Sequence, residues 1–182
     1  MLDYFFAIGS PWAYIVLNPL DEIAGRHDLI IRPRPMTLIT QNGAIYSKDR
    51  PDARRACWLT DLQCWSARRG VTLAMTDRGH LSPPDPAALT VIAAALDGRD
   101  WLTLTLRLQA AFWTERADIG QIAVHRHIAD EGGPAGAALI SREAHSDVKD
   151  AWQANLADAT ALGVFGSPTY VIDGSFTAAR MP

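Results

Sequence analysis

Residues 3–14 read DYFFAIGSPWAY and carry the strongest structural signal in the chain. The apolar run at residues 3–8 predicts a strand, and apolar residues at helical spacing follow from Pro11 onward. Ser10 therefore stands at the start of a helix, where the helix dipole stabilises an anion such as a thiolate. Redox proteins place the first cysteine of a C-P-x-C motif at such a position, because the same field lowers its pKa. Since this chain has Ser10 and Ala13 at the two cysteine positions, a sulfur at the site must arrive with a ligand.

The composition is that of an ordinary globular protein. A chain of 182 residues with 48% hydrophobic residues can build one domain with a sizeable core and an inserted subdomain. A net charge of −3 and a pI near 5.9 disfavour non-specific binding to nucleic acid, which needs a basic surface. No apolar run is long enough to cross a bilayer, and the first residues lack the basic region of a signal peptide. We therefore expect a cytoplasmic protein with neither nucleic acid nor a membrane as partner.

The first third of the chain reads strand, helix, strand. Residues 29–32 predict the second strand, which we expect to end at Pro33 and Pro35 and to lie parallel beside the first. Pro19 inside the first helix predicts a kink or a separate first turn. Residues 36–51 are predicted to form a loop, in which Asn42-Gly43 is the clearest turn signal.

A helical block of about a hundred residues follows, and then the sheet resumes. Capping residues and glycines predict the helix ends: starts at Asp85, Asp100, Asp118 with Gln121, and Ser146; stops at Gly70, Gly98, Gly132-Gly133 and Gly163. Residues 169–172 and 175–177 predict a β-hairpin around Asp173-Gly174. The sequence thus predicts an α/β sheet interrupted by a helical insertion. Residues 1–50 and 163–182 would form the sheet portion, and residues 51–162 a mainly helical insertion whose last helix packs on the sheet.

Residues 163–171, GVFGSPTYV, form the second informative stretch. A proline that opens a strand after a glycine-rich turn predicts a cis bond between Ser167 and Pro168. That bond would turn the backbone N–H and C=O of Ser167 outward, where they could pair with an extended peptide as an added strand does. If the helix start at Ser10 faces this edge, the two stretches enclose a pocket for a small thiol peptide.

At this point the chain resembles a family. Thioredoxin-like proteins of the DsbA type with a helical insertion carry these signatures, among them the 2-hydroxychromene-2-carboxylate isomerases and the kappa-class glutathione transferases. The similarity spans essentially the whole chain, and the stretches that carry it are residues 4–14, 61–65, 112–119 and 163–174.

The resemblance implies a glutathione-dependent isomerase in which Ser10 hydrogen-bonds the glutathione sulfur and favours its thiolate. In such isomerases the thiolate adds to a conjugated double bond, the bond rotates and the thiolate leaves. The site residues implied are Ser10 as the catalytic residue, and Ser10, Pro11, Trp12, Phe165, Ser167 and Pro168 as glutathione-binding residues. A small electrophilic or aromatic carboxylate substrate and a homodimer are also implied.

Other interpretations remain open at this stage. A kappa-type glutathione transferase would use the same site, and a non-catalytic remnant would keep the fold without the ligand. Ser10 taken alone favours a simple N-cap, and only together with the Ser167-Pro168 segment and the resemblance does it favour a site; the Ser167-Pro168 bond could serve structure only. Trp12 could cover the ligand or bridge the surface and the core. A dithiol oxidoreductase is nearly excluded, because Ser10 and Ala13 cannot form a disulfide.

The chain departs from this family in two places. The family usually continues after the hairpin with a segment whose acidic residue holds the γ-glutamyl amine, and then with a helix that covers the sheet. Here residues 175–182 read SFTAARMP, so we expect weaker glutathione binding and a partly bare sheet face that favours oligomers. The isomerases also carry a lysine followed by Gly-Asn in the loop at residues 36–51, and this loop reads differently. The substrate is therefore not transferred by the resemblance.

The remaining reactive residues favour structural roles. Cys57 and Cys64 are seven apart in one predicted helix, roughly 10 Å, which is beyond disulfide reach, and we expect them to be small core residues. His125 and His127 diverge by about 200° on their helix, so we expect no metal site. A basic cluster follows the loop, and it is either a solvated face or a means of steering a carboxylate substrate: Lys48, Arg50, Arg54 and Arg55.

Overall fold

The computed structural model describes residues 1–131, 136–173 and 175–178. Its strands are β1 (Leu2–Phe6), β2 (Ile31–Pro35), β3 (Thr169–Ile172) and β4 (Ser175–Ala178). Its helices are α1 (Pro11–Arg26), α2 (Asp52–Arg69), α3 (Pro86–Leu96), α4 (Trp101–Trp113), α5 (Ile122–Glu131), α6 (Gly136–Arg142) and α7 (Ser146–Ala161). Two short 3₁₀ turns, Thr40–Asn42 and Ser47–Asp49, lie in the loop after β2.

The four strands form one mixed sheet in the order β2-β1-β3-β4. β1 pairs parallel with β2, as predicted, and antiparallel with β3, which in turn forms a hairpin with β4. Alternation along β1 divides the core: Tyr4 and Phe6 pack with α1, α3 and α4, whereas Phe5 packs with α7 on the other face. The sheet therefore lies between helices. One core cluster includes residues of the sheet and of α3 and α4, so the sheet and the helical block share a core. The division of the chain into a sheet portion and an insertion stays a prediction.

The prediction that β2 ends at its prolines is wrong. β2 includes both Pro33 and Pro35, in register with Tyr4 and Phe6 of β1. Met36 donates its backbone N–H to Phe6 O at 2.8 Å, so the alternate residues of the strand make the bonds to β1. The nitrogens of Pro33 and Pro35 face the other way, where this edge strand has no neighbour among the described residues, and their missing N–H groups cost no ladder bond.

α1 runs through Pro19 as one helix, so the predicted separate first turn is wrong. Residues on both sides of this proline are buried in the core, including Ile15 and Leu20. Their burial offsets the hydrogen bond that a proline inside a helix removes, which costs about 3 kcal/mol.

Only some of the residues predicted to begin or end helices do so in the expected way. Asp100 accepts a hydrogen bond from Thr103 N at 2.9 Å, which confirms its N-cap role. Gly70 and Gly163 have positive φ angles of 65° and 74° just after α2 and α7, as helix stops require. Asp85 and Ser146 make no side-chain cap. The predicted stop at Gly132-Gly133 and residues 179–182 lie outside the described residues.

The predicted capping box of Asp118 and Gln121 is wrong. Asp118 instead accepts two hydrogen bonds from Ser82, from its N–H and its hydroxyl, both at 2.9 Å. The side chain of Gln121 also donates to Ser82 Oγ, at 2.7 Å. The pair therefore fixes a distant loop, a use that local spacing does not reveal.

Candidate functional site

Ser10 and Ser167 meet at the start of α1, although 157 positions separate them. The hydroxyl of Ser10 accepts a hydrogen bond from Ala13 N at 3.3 Å and donates one to Ser167 O at 3.0 Å. Ser167 Oγ in turn accepts the N–H of Ala7 at 2.8 Å. The bond between Ser167 and Pro168 is cis. The predicted cis bond and the predicted convergence of the two stretches are thus confirmed.

The carbonyl of Ser167 is not left open for a ligand, contrary to the expectation that both of its backbone groups point outward. It accepts the only proton of the Ser10 hydroxyl, which is 9% exposed. A hydroxyl has a single O–H donor, so Ser10 can donate to a ligand only by turning away from Ser167 O. Its lone pairs meanwhile serve the N-cap of α1. The N-cap role and a ligand role are therefore both available to this side chain.

A cavity of about 630 Å³ opens above this pair. Ser10, Pro11, Trp12, Phe165 and Ser167 line it, while Pro168 is buried behind the wall and is not one of its lining residues. The rest of the wall comes from parts of the stretches 37–50 and 81–85, from the end of α4, and from Ala7, Gly9, Trp58, Arg78 and Gly166. Five of the six predicted site residues thus face one space, which lies within the size range of small-molecule sites, about 300–1,000 Å³.

The part of the wall formed by residues 82–84 is held in place by close packing. A Cβ added to Gly9 would lie 2.6 Å from Pro84 Cγ, so only glycine fits next to this proline. A Cβ on Gly120 would clash with the backbone carbonyl of Pro83. Together with the bonds from Asp118 to Ser82, these contacts hold residues 82–84 against the turn before α1.

The loop after β2 is fixed from the other side by Asn42. Its side-chain amide donates to three carbonyls at the end of α7 and just beyond, those of Ala159, Thr160 and Val164, at 3.1–3.2 Å. The sequence indicated only a turn at this asparagine. The bonds to α7 also position the cavity wall formed by this loop.

Positive charge predominates among the lining residues. Lys48, Arg50 and Arg78 carry three positive charges against the one negative charge of Asp85, an excess of two. Burial raises the pKa of Asp85, although a hydrogen bond with Thr37 opposes the shift. Arg50, from the predicted basic cluster, lies over the ring of Trp58 with its Cζ 5.7 Å from the ring centroid.

Arg78 is a site residue that the sequence analysis missed. Its guanidinium carbon lies 4.3 Å from the ring centroid of Phe112 and 4.0 Å from that of Trp113. Burial, reinforced by the nearby charge of Arg116, lowers its pKa to about 10. It stands in an irregular segment far in sequence from Ser10, and no local motif marks it.

The cysteines are not core residues, so that expectation is wrong. Cys57 and Cys64 are both exposed free thiols. α2 buries only Leu62 and Ser66, and the two cysteines lie about 140° and 200° around the helix from Leu62. Trp58 and Trp65, which are half-buried, occupy the inner side instead. No thiol therefore reaches the cavity.

The described residues include no cluster of three or more histidine, cysteine or acidic side chains that could hold an ion. His125 is buried and has Glu143 as its acidic partner at 3.2 Å, whereas His127 is exposed. In the same part of the chain, none of the helices combines the length and the apolar character that a membrane crossing requires.

Solved structures with the same fold include a 2-hydroxychromene-2-carboxylate isomerase, with a TM-score of 0.74 and 18% identity over 97% of this chain and 87% of that one. The structure of the cytosolic disulfide reductase DsbM from Pseudomonas aeruginosa has a TM-score of 0.70 and 19% identity, and the match covers 97% of this chain and 87% of that one. The structure of a probable DsbA oxidoreductase from Streptomyces coelicolor has a TM-score of 0.78 and 17% identity, and the match covers 100% of this chain and 84% of that one. At such identities the likeness shows the fold alone.

No curated protein matches the sequence significantly. The model of the DSBA-like thioredoxin domain matches residues 1–181, essentially the whole chain. Its range includes the turn at Ser10, the helical block and the cis-proline segment described above. The predicted thioredoxin-like α/β fold with inserted helices is thereby confirmed, and the chain belongs to the DSBA-like thioredoxin domain family.

Proposed function

We propose that this protein is a glutathione-dependent isomerase in which the hydroxyl of Ser10 stabilises the glutathione thiolate. The observation that carries the proposal is the position of this hydroxyl. It stands at the N-terminus of α1, 3.0 Å from the carbonyl of Ser167, at the edge of the cavity. The positions that hold cysteines in a dithiol enzyme are Ser10 and Ala13 here, so the reacting sulfur must belong to a ligand.

The residues around the cavity suit glutathione. Its two carboxylates would meet an excess of positive charge from Lys48, Arg50 and Arg78. Its cysteinyl backbone could pair with the N–H of Ser167 in the manner of an added strand. A further structure of the same fold, that of DsbM with GSH, supports this choice of ligand by analogy.

The field at Ser10 favours a thiolate for two reasons. The first-turn N–H groups of α1 point toward its N-terminus and carry partial positive charge. The Ser10 hydroxyl adds one hydrogen bond once it turns from Ser167 O to the sulfur. A free thiol titrates near 8.5, and each unit by which its pKa falls corresponds to about 1.4 kcal/mol of preference for the thiolate.

When bound, glutathione supplies a nucleophile that adds reversibly to a conjugated double bond and so permits rotation about it. The protein does not gain or lose electrons in such a reaction. Trp12 and Phe165, which line the same cavity as Ser10, would hold the substrate against the sulfur. The cytosolic description of DsbM favours a cytoplasmic location for this enzyme as well.

A kappa-type glutathione transferase would use the same groups. It differs in the product, because a transferase leaves glutathione attached to the substrate and an isomerase releases it. The hydrogen bonds of Ser10 favour a third interpretation, a non-catalytic protein of the same fold. They use the single proton of the hydroxyl and one of its lone pairs without a ligand.

Thermal unfolding with and without glutathione tests the role of Ser10. We expect millimolar glutathione to raise the Tm of the wild-type protein but not of Ser10→Ala. Asp100→Ala is the matched control, since it removes the same kind of N-cap from α4. It should lower the Tm of the free protein and still show the glutathione shift. Absence of a shift in the wild-type protein would favour the non-catalytic interpretation.

Product analysis separates the two enzymatic candidates. The protein is incubated with glutathione and 2-hydroxychromene-2-carboxylate, the compound in the name of the structural neighbour. The products are separated by liquid chromatography, and each is then identified by its mass. An isomer of unchanged mass, formed only when glutathione is present, supports the isomerase. A covalent adduct with glutathione as the end product would support the transferase instead.

A further inference from the structure

Arg78 is the cation of the cavity that is most firmly held. Its Nη1 donates to Phe112 O at 2.8 Å and to Ala74 O at 3.3 Å, and its guanidinium lies against the rings of Phe112 and Trp113. These contacts restrict the side chain to one position. The guanidinium is consequently oriented before any ligand arrives, which reduces the entropy lost on binding.

The charge of Arg78 has no acidic partner among the described residues. It takes part in no ion pair there, and its Nη2 is buried without a hydrogen-bond acceptor. The charge of Arg116, another cation, acts on it and lowers its pKa further, after the larger effect of burial. Taking a charge partly out of water without a counter-charge is costly, and native proteins normally pair such groups.

A structural role accounts for only part of this arrangement. Nη1 satisfies a carbonyl at the end of α4, where a cation also interacts favourably with the helix dipole. A neutral amide donor would satisfy the same carbonyl. It would not bring a positive charge into a cavity that Arg50 and Lys48 already make positive.

The cavity is also unusually aromatic. Six of the fifteen aromatic residues of the chain line it: Trp12, Tyr46, Trp58, Phe112, Trp113 and Phe165. Aromatic walls favour flat apolar groups, which stack on their faces or pack against their edges. The wall chemistry therefore favours a flat apolar group, and the unpaired cation favours a carboxylate.

We propose that Arg78 binds a ligand carboxylate in the same cavity as Ser10, where the aromatic walls favour a compound with a flat apolar body. This inference rests on the proposed function because it assumes that glutathione occupies the same cavity, and it names the chemical class of the second compound there. The carboxylate could come from that compound or from the glycine end of glutathione itself. The chemistry at Arg78 is the same in both cases.

Calorimetric titration with 1-naphthoate tests the assignment, and neutral 1-naphthamide serves as the uncharged control ligand. We expect naphthoate to bind the wild-type protein and naphthamide to bind much more weakly. Arg78→Gln keeps a donor for Phe112 O and removes the charge, and it should weaken naphthoate binding by about tenfold or more. Arg99→Gln changes the net charge equally at an exposed position outside the cavity lining, and it should leave binding unchanged.

A parallel titration with glutathione and γ-glutamylcysteine, which lacks the glycine, identifies the source of the carboxylate. If Arg78→Gln weakens the binding of glutathione but not of γ-glutamylcysteine, the carboxylate is the glycine end. If it weakens only naphthoate, the carboxylate belongs to the second compound. The proposal is overturned if Arg78→Gln binds naphthoate as tightly as the wild-type protein does and also binds glutathione as tightly. It is likewise overturned if the wild-type protein binds naphthoate and naphthamide with equal affinity.

Two further measurements keep this outcome separate from that of the proposed function. Ser10→Ala should lose the glutathione effect and still bind naphthoate, so that each site is tested without the other. Arg78→Lys keeps the charge, and partial recovery of naphthoate binding in this variant excludes loss of folding as the cause.

Discussion

His125 and Arg78 are both basic side chains inside the fold, but their surroundings differ. His125 lies where α5, α6 and α3 meet, with Glu143 at 3.2 Å, and the hydroxyl of Thr90 donates to the same carboxylate. Arg78 lies at the cavity wall among aromatic rings, and it has no carboxylate partner among the described residues. We call the first region the helical junction and the second the cavity wall.

The difference separates charges that serve the fold from charges that serve a ligand. In the helical junction, the basic side chain faces an acidic partner from another part of the protein, so the pair contributes to stability. In the cavity wall, the charge is oriented but not neutralised, so it contributes to the free energy of binding an anion. Substitutions should therefore affect stability in one region and binding in the other.

The largest expected effect comes from breaking the helical junction. Glu143→Ala leaves His125 and Thr90, both fully buried, without their acceptor, and should lower the free energy of unfolding by about 3 kcal/mol. Urea unfolding measures the loss. Glu115→Ala, at an exposed position, is the control and should change stability little. A loss no larger than that of the control would contradict the assignment of the junction to stability.

Ser10 lines the cavity, and we expect that it also contributes to the stability of the fold. Ser10→Ala removes an N-cap and leaves Ser167 O without its donor. We expect a loss of about 2 kcal/mol in urea unfolding, greater than the roughly 1 kcal/mol for the single cap lost in Asp100→Ala. Equal losses in the two variants would show that the bond to Ser167 contributes nothing to stability.

Asp118 connects the cavity wall to the rest of the fold through Ser82. Hydrogen bonds from Ser82 and Gln121 lower the pKa of Asp118, although burial alone would raise it. Asp118→Ala should destabilise the protein by about 1.5 kcal/mol. It should also weaken naphthoate binding, because Pro83 and Pro84 lose their anchor. Unchanged binding in this variant would mean that the wall keeps its place without Asp118.

The pH dependence of stability sharpens the comparison further. Burial alone would lower the pKa of His125, but hydrogen bonds with Glu143 and Ile119 and the charge of Glu143 outweigh it and raise the pKa above 6.5. A raised pKa in the folded state means that the stabilisation is complete below pH 6.5 and is lost as the pH rises through the folded-state value. The difference in unfolding free energy between the wild-type protein and Glu143→Gln should therefore shrink above pH 6.5. A difference that grows with pH would contradict the ion pair.

The smallest effect on stability is expected at Arg78. Arg78→Gln gives up stacking on Phe112 and Trp113 but also removes a half-buried, unpaired charge, and these changes oppose each other. We expect the free energy of unfolding to change by less than about 1 kcal/mol, although naphthoate binding falls strongly. A loss comparable to that of Glu143→Ala would place Arg78 with the structural charges.

The sequence by itself determined the features that a few neighbouring residues control. The strand, turn and helix around Ser10, the cap at Asp100 and the stops at Gly70 and Gly163 follow from local dihedral preferences and local hydrogen bonds. The cis bond before Pro168 also follows from a local signal, a glycine-rich turn before a strand that opens with proline. These two stretches are among the four that carry the family resemblance from which the fold was predicted.

Only the tertiary structure decided which faces and partners those elements would find. The exposure of Cys57 and Cys64 depended on which side of α2 packs inward, and the prolines of β2 were tolerated because that strand lies at an edge. Arg78 gained its place because a loop between α2 and α3 brings it to the end of α4. Packing brings distant residues together, and no local sequence pattern marks which residues will meet. A charge without an acidic partner can therefore be recognised only in the folded structure.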